Sequence, residues 1–255
     1  MSECWAAPLG DCVGKLSREH IITEGLLPQA GILIQGFPWC LDGPAKIGTA
    51  NLTSKILCVK HNSLLSTADD AGIAMVTQFR EFFRLGNVRS GMKSRRWHRV
   101  RLTTKGLELE RWFLKTLINV AFGHKYPMLK PDEAKHWRPS LNLVEIAFGL
   151  TRFEPRAGLY LIGGNVGDTI NVADKLQITT IRSRDDRRLV GASFTISSFR
   201  FVIYLKPDGL NRNIERVGMD GEVTPESNLL YHPRAINFTT QPGNWLSHSL
   251  DIAWQ

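Results

Sequence analysis

The sequence predicts an α+β protein in two parts, a small module over residues 1–75 and a larger domain over residues 76–255. Three observations predict this class. All cysteines lie in the first quarter of the chain, two later segments repeat apolar residues at helical spacing, and four further segments are rich in β-branched and aromatic residues. A chain of 255 residues can bury a sizeable core and is long enough for one domain or two.

The composition is that of an ordinary folded protein, with 43% hydrophobic, 9% aromatic and 22% charged residues. No apolar run approaches the roughly 18 residues needed to span a bilayer, and the N-terminus lacks a basic segment followed by an apolar one. We therefore expect a cytoplasmic protein with no membrane contact. The formal net charge of +8 favours a polyanionic partner.

The first module contains the residues of a metal site. Cys58 and His61 form the pair C-x-x-H in "ILCVKHN", where one tight turn can aim a thiolate and an imidazole at the same ion. Cys4 and Cys12 would complete a tetrahedral site for structural zinc, and Cys40 is a competing ligand. The alternative is that these cysteines are buried free thiols that pack as small hydrophobic groups.

A second polar cluster is predicted between the two halves of the zinc site. Glu19 and His20 adjoin in "LSREHII", and a chain that loops out and returns to the zinc would bring them near Asn62. A neutral imidazole can take a proton from water, and carboxylate and amide oxygens suit Mg²⁺ or Mn²⁺. This trio suits phosphodiester hydrolysis. Alternatively, His20 packs beside a strand and Asn62 caps the helix that begins at "SLLSTADD".

The array C…C…S-R-E-H-I-I…N-L-T-S-K-I-L-C-x-x-H-N, over residues 4–70, resembles the HNH endonucleases. The resemblance implies a ββα-metal module with a treble-clef zinc site, followed here by an α+β domain with an antiparallel sheet. It also implies metal-dependent cleavage of DNA in a prokaryotic defence or mobile-element setting. By that resemblance Glu19 and Asn62 bind the catalytic Mg²⁺ or Mn²⁺, and His20 activates water.

The sequence departs from the HNH pattern in several places. Glu19 stands where aspartate is commoner, and the interval from Cys4 to Cys12 is wider than usual. Asn51 matches the asparagine that orients the histidine in this family. The interval that follows Asn51 is longer than in the family, so Ser54 is the alternative for that role.

Two helices are predicted in the larger domain. "GLELERWFLKTLINVAFG" repeats apolar residues on one face, and its charged residues, including Glu110 and Lys115, are available for the other face. We expect this helix to end at Gly123. "SLNLVEIAFG" predicts a shorter helix with Ser140 as its N-cap and Gly149 as its stop.

The later part of the chain predicts an antiparallel meander. Its strands are "GLYLIGG", "KLQITTIRS", "LVGASFTIS" and "FRFVIYLK", and "RSRDDRR" supplies a turn between two of them. The order of these segments along the chain suggests that each strand pairs with the next.

A basic segment, "MKSRRWHRVRL", alternates as a strand would and presents a row of cations. The spacing of that row roughly matches the phosphate repeat of one DNA strand, so the row could follow a backbone without reading bases. The predicted nucleic-acid-binding residues are Lys93, Arg95, Arg96, Trp97, Arg99 and Arg101. The alternative is an interface with an acidic partner protein.

The leading functional prediction is a metal-dependent DNA endonuclease, with RNA as a further possible substrate. A homodimer would help a chain with one site to cut both strands, and a partner protein of a defence system is a further possibility. The alternative prediction is a non-catalytic, zinc-stabilised nucleic-acid-binding or adaptor protein.

Overall fold

A computed structural model of the chain describes residues 3–26, 32–35, 40, 43–48, 52–90, 100–128, 137–162, 176–183, 187–196, 199–206, 214–216, 229–231, 235–239 and 249–254. The α+β class is confirmed. The strands are β1 (Leu16–His20), β2 (Ile32–Gln35), β3 (Ala45–Ile47), β4 (Thr53–Cys58), β5 (Arg101–Lys105), β6 (Gly158–Ile162), β7 (Leu176–Ser183), β8 (Leu189–Ile196), β9 (Phe199–Tyr204), β10 (Ile214–Arg216), β11 (Leu229–Tyr231), β12 (Ala235–Thr239) and β13 (Ser249–Ala253). The α-helices are α1 (Val59–Leu64), α2 (Ser66–Ser90), α3 (Gly106–Gly123) and α4 (Leu141–Phe148).

The first part of the chain forms a β-β-α unit. β1 pairs antiparallel with β4, with Leu16 opposite Cys58 and His20 opposite Thr53. α1 follows β4 without an intervening loop, so the C-x-x-H pair spans the junction between strand and helix. We call this the β1–β4–α1 unit.

The larger sheet has the strand order β11-β6-β9-β8-β7-β2-β3 among the described residues, and β10 also pairs with β7. β7, β8 and β9 form the predicted antiparallel meander. The expectation that β6 would pair with β7 is wrong, because β6 pairs with β9 instead. Strand propensity is a local property, whereas strand order depends on long-range packing.

Both predicted helices of the larger domain are confirmed. α3 covers "GLELERWFLKTLINVAFG". Before α4, the Ser140 hydroxyl accepts a hydrogen bond from the Leu143 amide at 3.4 Å, and after it Gly149 adopts a left-handed φ of 73°. This conformation is one that glycine reaches without a Cβ penalty, as a helix stop requires.

The two predicted domains share structure across residue 75. α2 continues through that position, and β2 from the first part pairs parallel with β7 of the larger sheet. One hydrophobic cluster contains Trp5 and Leu57 together with Phe113 and Phe201. The division into residues 1–75 and 76–255 stays a prediction.

A third sheet has the order β12-β13-β5, with β13 and β5 parallel. Arg101, the last of the predicted nucleic-acid-binding residues, is the first residue of β5 and is exposed. Searched over the described part of the chain, the helices include none with the length and apolar character of a membrane span.

Candidate metal centre and neighbouring polar residues

Four side chains of the β1–β4–α1 unit and the segment before it converge on one point. Their ligand atoms all lie within 4.8 Å of one another. β4 ends at Cys58, and His61 lies one turn later in α1. The residues are Cys4, Cys12, Cys58 and His61.

The distances from the His61 nitrogen to the three sulfurs match those expected around a tetrahedral metal ion. The Nδ1 atom of His61 lies 3.4 Å from the Sγ of Cys4, 3.6 Å from that of Cys12 and 3.2 Å from that of Cys58. A tetrahedral zinc ion with ordinary Zn–S and Zn–N bonds would separate such atoms by about 3.5 Å. Three thiols and an imidazole are also donors that suit zinc, so these residues could hold it.

A tight turn closes the wide interval between the first two cysteines. Ala7–Leu9 form a 3₁₀ turn that contains Pro8, and Gly10 follows with a left-handed φ of 78°. This turn reverses the chain, so that the thiols of Cys4 and Cys12 approach the same imidazole. The segment between Cys4 and Cys12 therefore forms a loop that brings both thiols to His61.

Cys40, the competing ligand, does not belong to this group. Its side chain is buried, and the group found among the described residues contains the other three cysteines. Cys40 fits the alternative prediction of a buried free thiol that packs as a small hydrophobic group.

An acidic residue that the sequence reasoning missed orients the histidine. The Nε2–H of His61 donates to Oδ1 of Asp11 at 2.8 Å, and Lys60 binds the other carboxylate oxygen. The hydrogen bonds from Lys60 and His61 hold the pKa of Asp11 below its usual value. Since Asp11 fixes the proton on Nε2, the Nδ1 lone pair remains available for a metal ion.

The thiols differ in how readily they ionise. Burial raises the pKa of Cys4 to about 12 and also raises that of Cys12. Burial acts in the same direction on Cys58, but amide groups of His61 and Val13 donate to its sulfur, and its pKa lies below the usual thiol value. A metal ion must therefore displace protons from Cys4 and Cys12 when it binds.

Glu19 takes part in a buried ion cluster. Its Oε1 lies 2.6 Å from the Nζ of Lys115 on α3, and the same ammonium lies 2.6 Å from Oδ2 of Asp69 on α2. Burial raises the pKa of Glu19, and Lys115 opposes part of that rise. We call Glu19, Asp69 and Lys115 the Lys115 ion cluster.

The Lys115 ion cluster continues into a hydrogen-bonded chain. Thr23 donates from its hydroxyl to Oδ1 of Asp69 at 2.6 Å, and the indole N–H of Trp112 donates to Thr23 at 2.9 Å. Glu110 and Lys115, which the sequence made available for the helix face opposite the apolar one, are both buried. Each has a partner brought by the tertiary fold, since Glu110 accepts a hydrogen bond from a backbone amide of β6.

His20 lies at the end of β1 with its side chain 33% exposed. Its Nε2 is 3.1 Å from Oε2 of Glu24, and its Nδ1 is buried without a hydrogen-bond partner among the described residues. Asn51, the predicted orienting residue, lies outside the described residues. Ser54, its alternative, stands opposite Glu19 in the strand pair, next to the partner of His20.

Asn62 lies inside α1, and the next helix, α2, begins at Ser66, so Asn62 is not the N-cap of the helix predicted at "SLLSTADD". Within the part of the chain that the structure describes, no hydrogen bond joins its side chain to Glu19 or His20. Glu19 is bound to Lys115 and does not present an open carboxylate. The pair Glu19 and Asn62 therefore does not fit a divalent ion in this arrangement, and their role as its ligands stays a prediction.

Most of the predicted basic segment lies outside the residues that the structure describes. Lys93, Arg95, Arg96, Trp97 and Arg99 lie outside the described residues, and Arg101 alone is described. Their assignment to nucleic-acid binding stays a prediction.

Comparison of this chain with known protein families, with characterised proteins and with solved structures finds no match. The interpretation of the metal centre therefore rests on its own geometry, and the nuclease interpretation rests on the sequence pattern that led to it.

Proposed function

We propose that this protein is an HNH-type, metal-dependent endonuclease that hydrolyses phosphodiester bonds of DNA. One observation carries the proposal: Cys4, Cys12, Cys58 and His61 bring their ligand atoms within 4.8 Å of one another. These ligands come from both sides of the Glu-His pair, as the sequence array of the HNH enzymes requires. The paired strands β1 and β4 with α1 support the proposal as a β-β-α arrangement, in which β2 and β3 lie between the two strands in the chain and pair in another sheet.

The zinc in this proposal is structural. Four protein ligands fill a tetrahedral shell and leave no position for a reacting water molecule. The ion would hold the segment before β1 and the end of β4 to α1, so its contribution is to the fold of the β1–β4–α1 unit.

His20 is the proposed general base. A neutral imidazole can accept a proton from water. Nε2 is the nitrogen that would accept it, because Nδ1 is buried. Glu24, whose Oε2 lies 3.1 Å from Nε2, would turn aside to admit the water and would then stabilise the imidazolium that forms. No step is assigned to a divalent ion, because Glu19 is bound to Lys115.

The second candidate function is a non-catalytic nucleic-acid-binding or adaptor protein that keeps the zinc scaffold. The buried contact between Glu19 and Lys115 favours it, since that contact removes a carboxylate from the proposed catalytic set. The two candidates differ in whether His20 is needed for any activity.

The test is cleavage of supercoiled plasmid by wild type and by His20→Ala, with Mg²⁺, with Mn²⁺ and with EDTA, at equal zinc content. The proposal expects metal-dependent nicking that falls at least about 100-fold in His20→Ala, the effect typical of losing a general base. His124→Ala, which changes an exposed histidine beyond α3, is the matched control. A wild type that binds DNA but cuts neither plasmid nor RNA would support the second candidate.

A further inference from the structure

The outward face of the β1–β4 pair carries two exposed cations. Alternation along β1 buries Glu19 and exposes Arg18. On β4, Lys55 is exposed and Ile56 is buried, and both lie opposite Arg18 where the pairing register shifts. We call Arg18 and Lys55 the hairpin cations.

Most of the acidic side chains near this face are paired with cations. Of the four acidic side chains described within residues 3–60, three lie in ion pairs with lysine or arginine, whereas neither hairpin cation does so among the described residues. The pairs are Glu3 with Arg138, Asp11 with Lys60, and Glu19 with Lys115, while Glu24 lies beside His20. The face therefore has a local positive charge that the described part of the chain does not balance.

Stability does not account for this arrangement. Like charges on adjacent strands repel one another and lower the stability of a sheet. Arg18 and Lys55 lie opposite each other on the two paired strands, so their charges are neighbours on one face of the pair. A surface that keeps such a pair is suited to a polyanion, which would relieve the repulsion and release counterions on binding.

The same face leads to His20. Residues two apart on a strand share a face, so His20 lies on the side of β1 that presents Arg18, about 7 Å farther along. A nucleic-acid strand held along the hairpin cations would reach His20.

We propose that the hairpin cations bind the phosphate backbone of a nucleic acid and deliver it to His20. This inference rests on the proposed function and adds a substrate-binding surface distinct from the basic segment at residues 93–101. The contacts are to phosphates, so binding is expected to be salt-dependent and insensitive to base sequence.

The experiment is fluorescence anisotropy of a labelled DNA duplex with wild type and Arg18→Ala/Lys55→Ala over a series of salt concentrations. The matched control is Lys46→Ala/Lys206→Ala, which removes two exposed cations of the larger sheet region and changes the net charge equally. At about 0.1 M salt the hairpin variant should bind roughly tenfold more weakly. Its slope of log affinity against log salt should fall by about two, since each phosphate contact contributes about one.

The inference is overturned if the hairpin variant binds DNA like the wild type, or if the control variant loses as much affinity and salt dependence. Preference of the wild type for polyglutamate over DNA would also overturn it. Failure of the proposed function gives a different result. A protein that binds DNA through the hairpin cations but never cuts it would contradict the nuclease and leave the inference standing.

Discussion

At the scale of single residues, burial and Lys115 act in opposite directions on Glu19. Burial raises the pKa of Glu19, the contact with Lys115 lowers it, and the nearby Asp69 raises it again. Because burial is the largest of these effects, the pKa of Glu19 lies above its usual value. Sequence reasoning placed Lys115 on a polar helix face because helical periodicity shows which residues share a face and not what packs against it.

Replacing Lys115 by methionine tests the strength of this cluster. The change keeps the volume of the side chain but leaves Glu19 and Asp69 without their cation. Removing one partner of a buried ion pair typically destabilises a protein by about 3–5 kcal/mol, and urea unfolding should show a loss of that order. The double variant Lys115→Met/Glu19→Gln should recover part of the loss. A wild-type free energy of unfolding in Lys115→Met would contradict the cluster.

The raised pKa of Glu19 predicts a pH effect of known sign. Folding favours the protonated form, so the contribution of Glu19 to stability is full below its unfolded pKa and is lost as pH rises through the folded pKa. Burial and Asp69 oppose its ionisation, while Lys115 and His20 favour it. The free energy of unfolding of wild type, relative to Glu19→Gln, should therefore fall over that interval and then stay constant.

The measurement for this effect is urea unfolding of both proteins from pH 4 to pH 8. A difference that rises with pH would mean that the contact with Lys115 outweighs burial. That result would contradict the assigned direction of the shift.

At the scale of elements, the β1–β4–α1 unit depends on contacts that only the folded chain brings together. α3 and α4 were predictable because periodicity and capping residues lie within the segment itself. The converging group of cysteines and histidine was predictable in part, since C-x-x-H is a local spacing that suits a metal ion, and Cys4 and Cys12, with Cys40 as a competitor, were the cysteines that could complete it. Asp11 was not, because an acidic residue beside a cysteine gives no signal until the histidine it orients is in place.

Asp11 therefore allows a test of how the segment before β1 is joined to α1. Asp11→Asn should weaken zinc binding about 10- to 100-fold, because it replaces the charged carboxylate that holds the His61 proton with a neutral amide, which is a weaker acceptor. Competition with a chromophoric chelator measures the affinity. Asp70→Asn, at an exposed position on α2, is the control. Equal zinc affinity in wild type and Asp11→Asn would show that Asp11 does not orient the ligand.

At the scale of the whole molecule, the predicted boundary at residue 75 is crossed by a helix, a sheet and a hydrophobic cluster. The apolar residues of the N-terminal segment come in short runs without regular periodicity. Trp5 nonetheless packs into the common cluster, and its indole N–H donates to Asn119 of α3 at 2.9 Å. Such long-range burial leaves no periodic signal in the sequence, so the sharing of one core could not be anticipated.

The metal centre is the central claim, and the metal content of the purified protein tests it most directly. Elemental analysis should find one zinc ion per chain in wild type and in Cys40→Ser, and little in Cys58→Ser, because Cys58 belongs to the converging group and Cys40 does not. A wild type without zinc, or zinc that is lost from Cys40→Ser and kept in Cys58→Ser, would contradict the account.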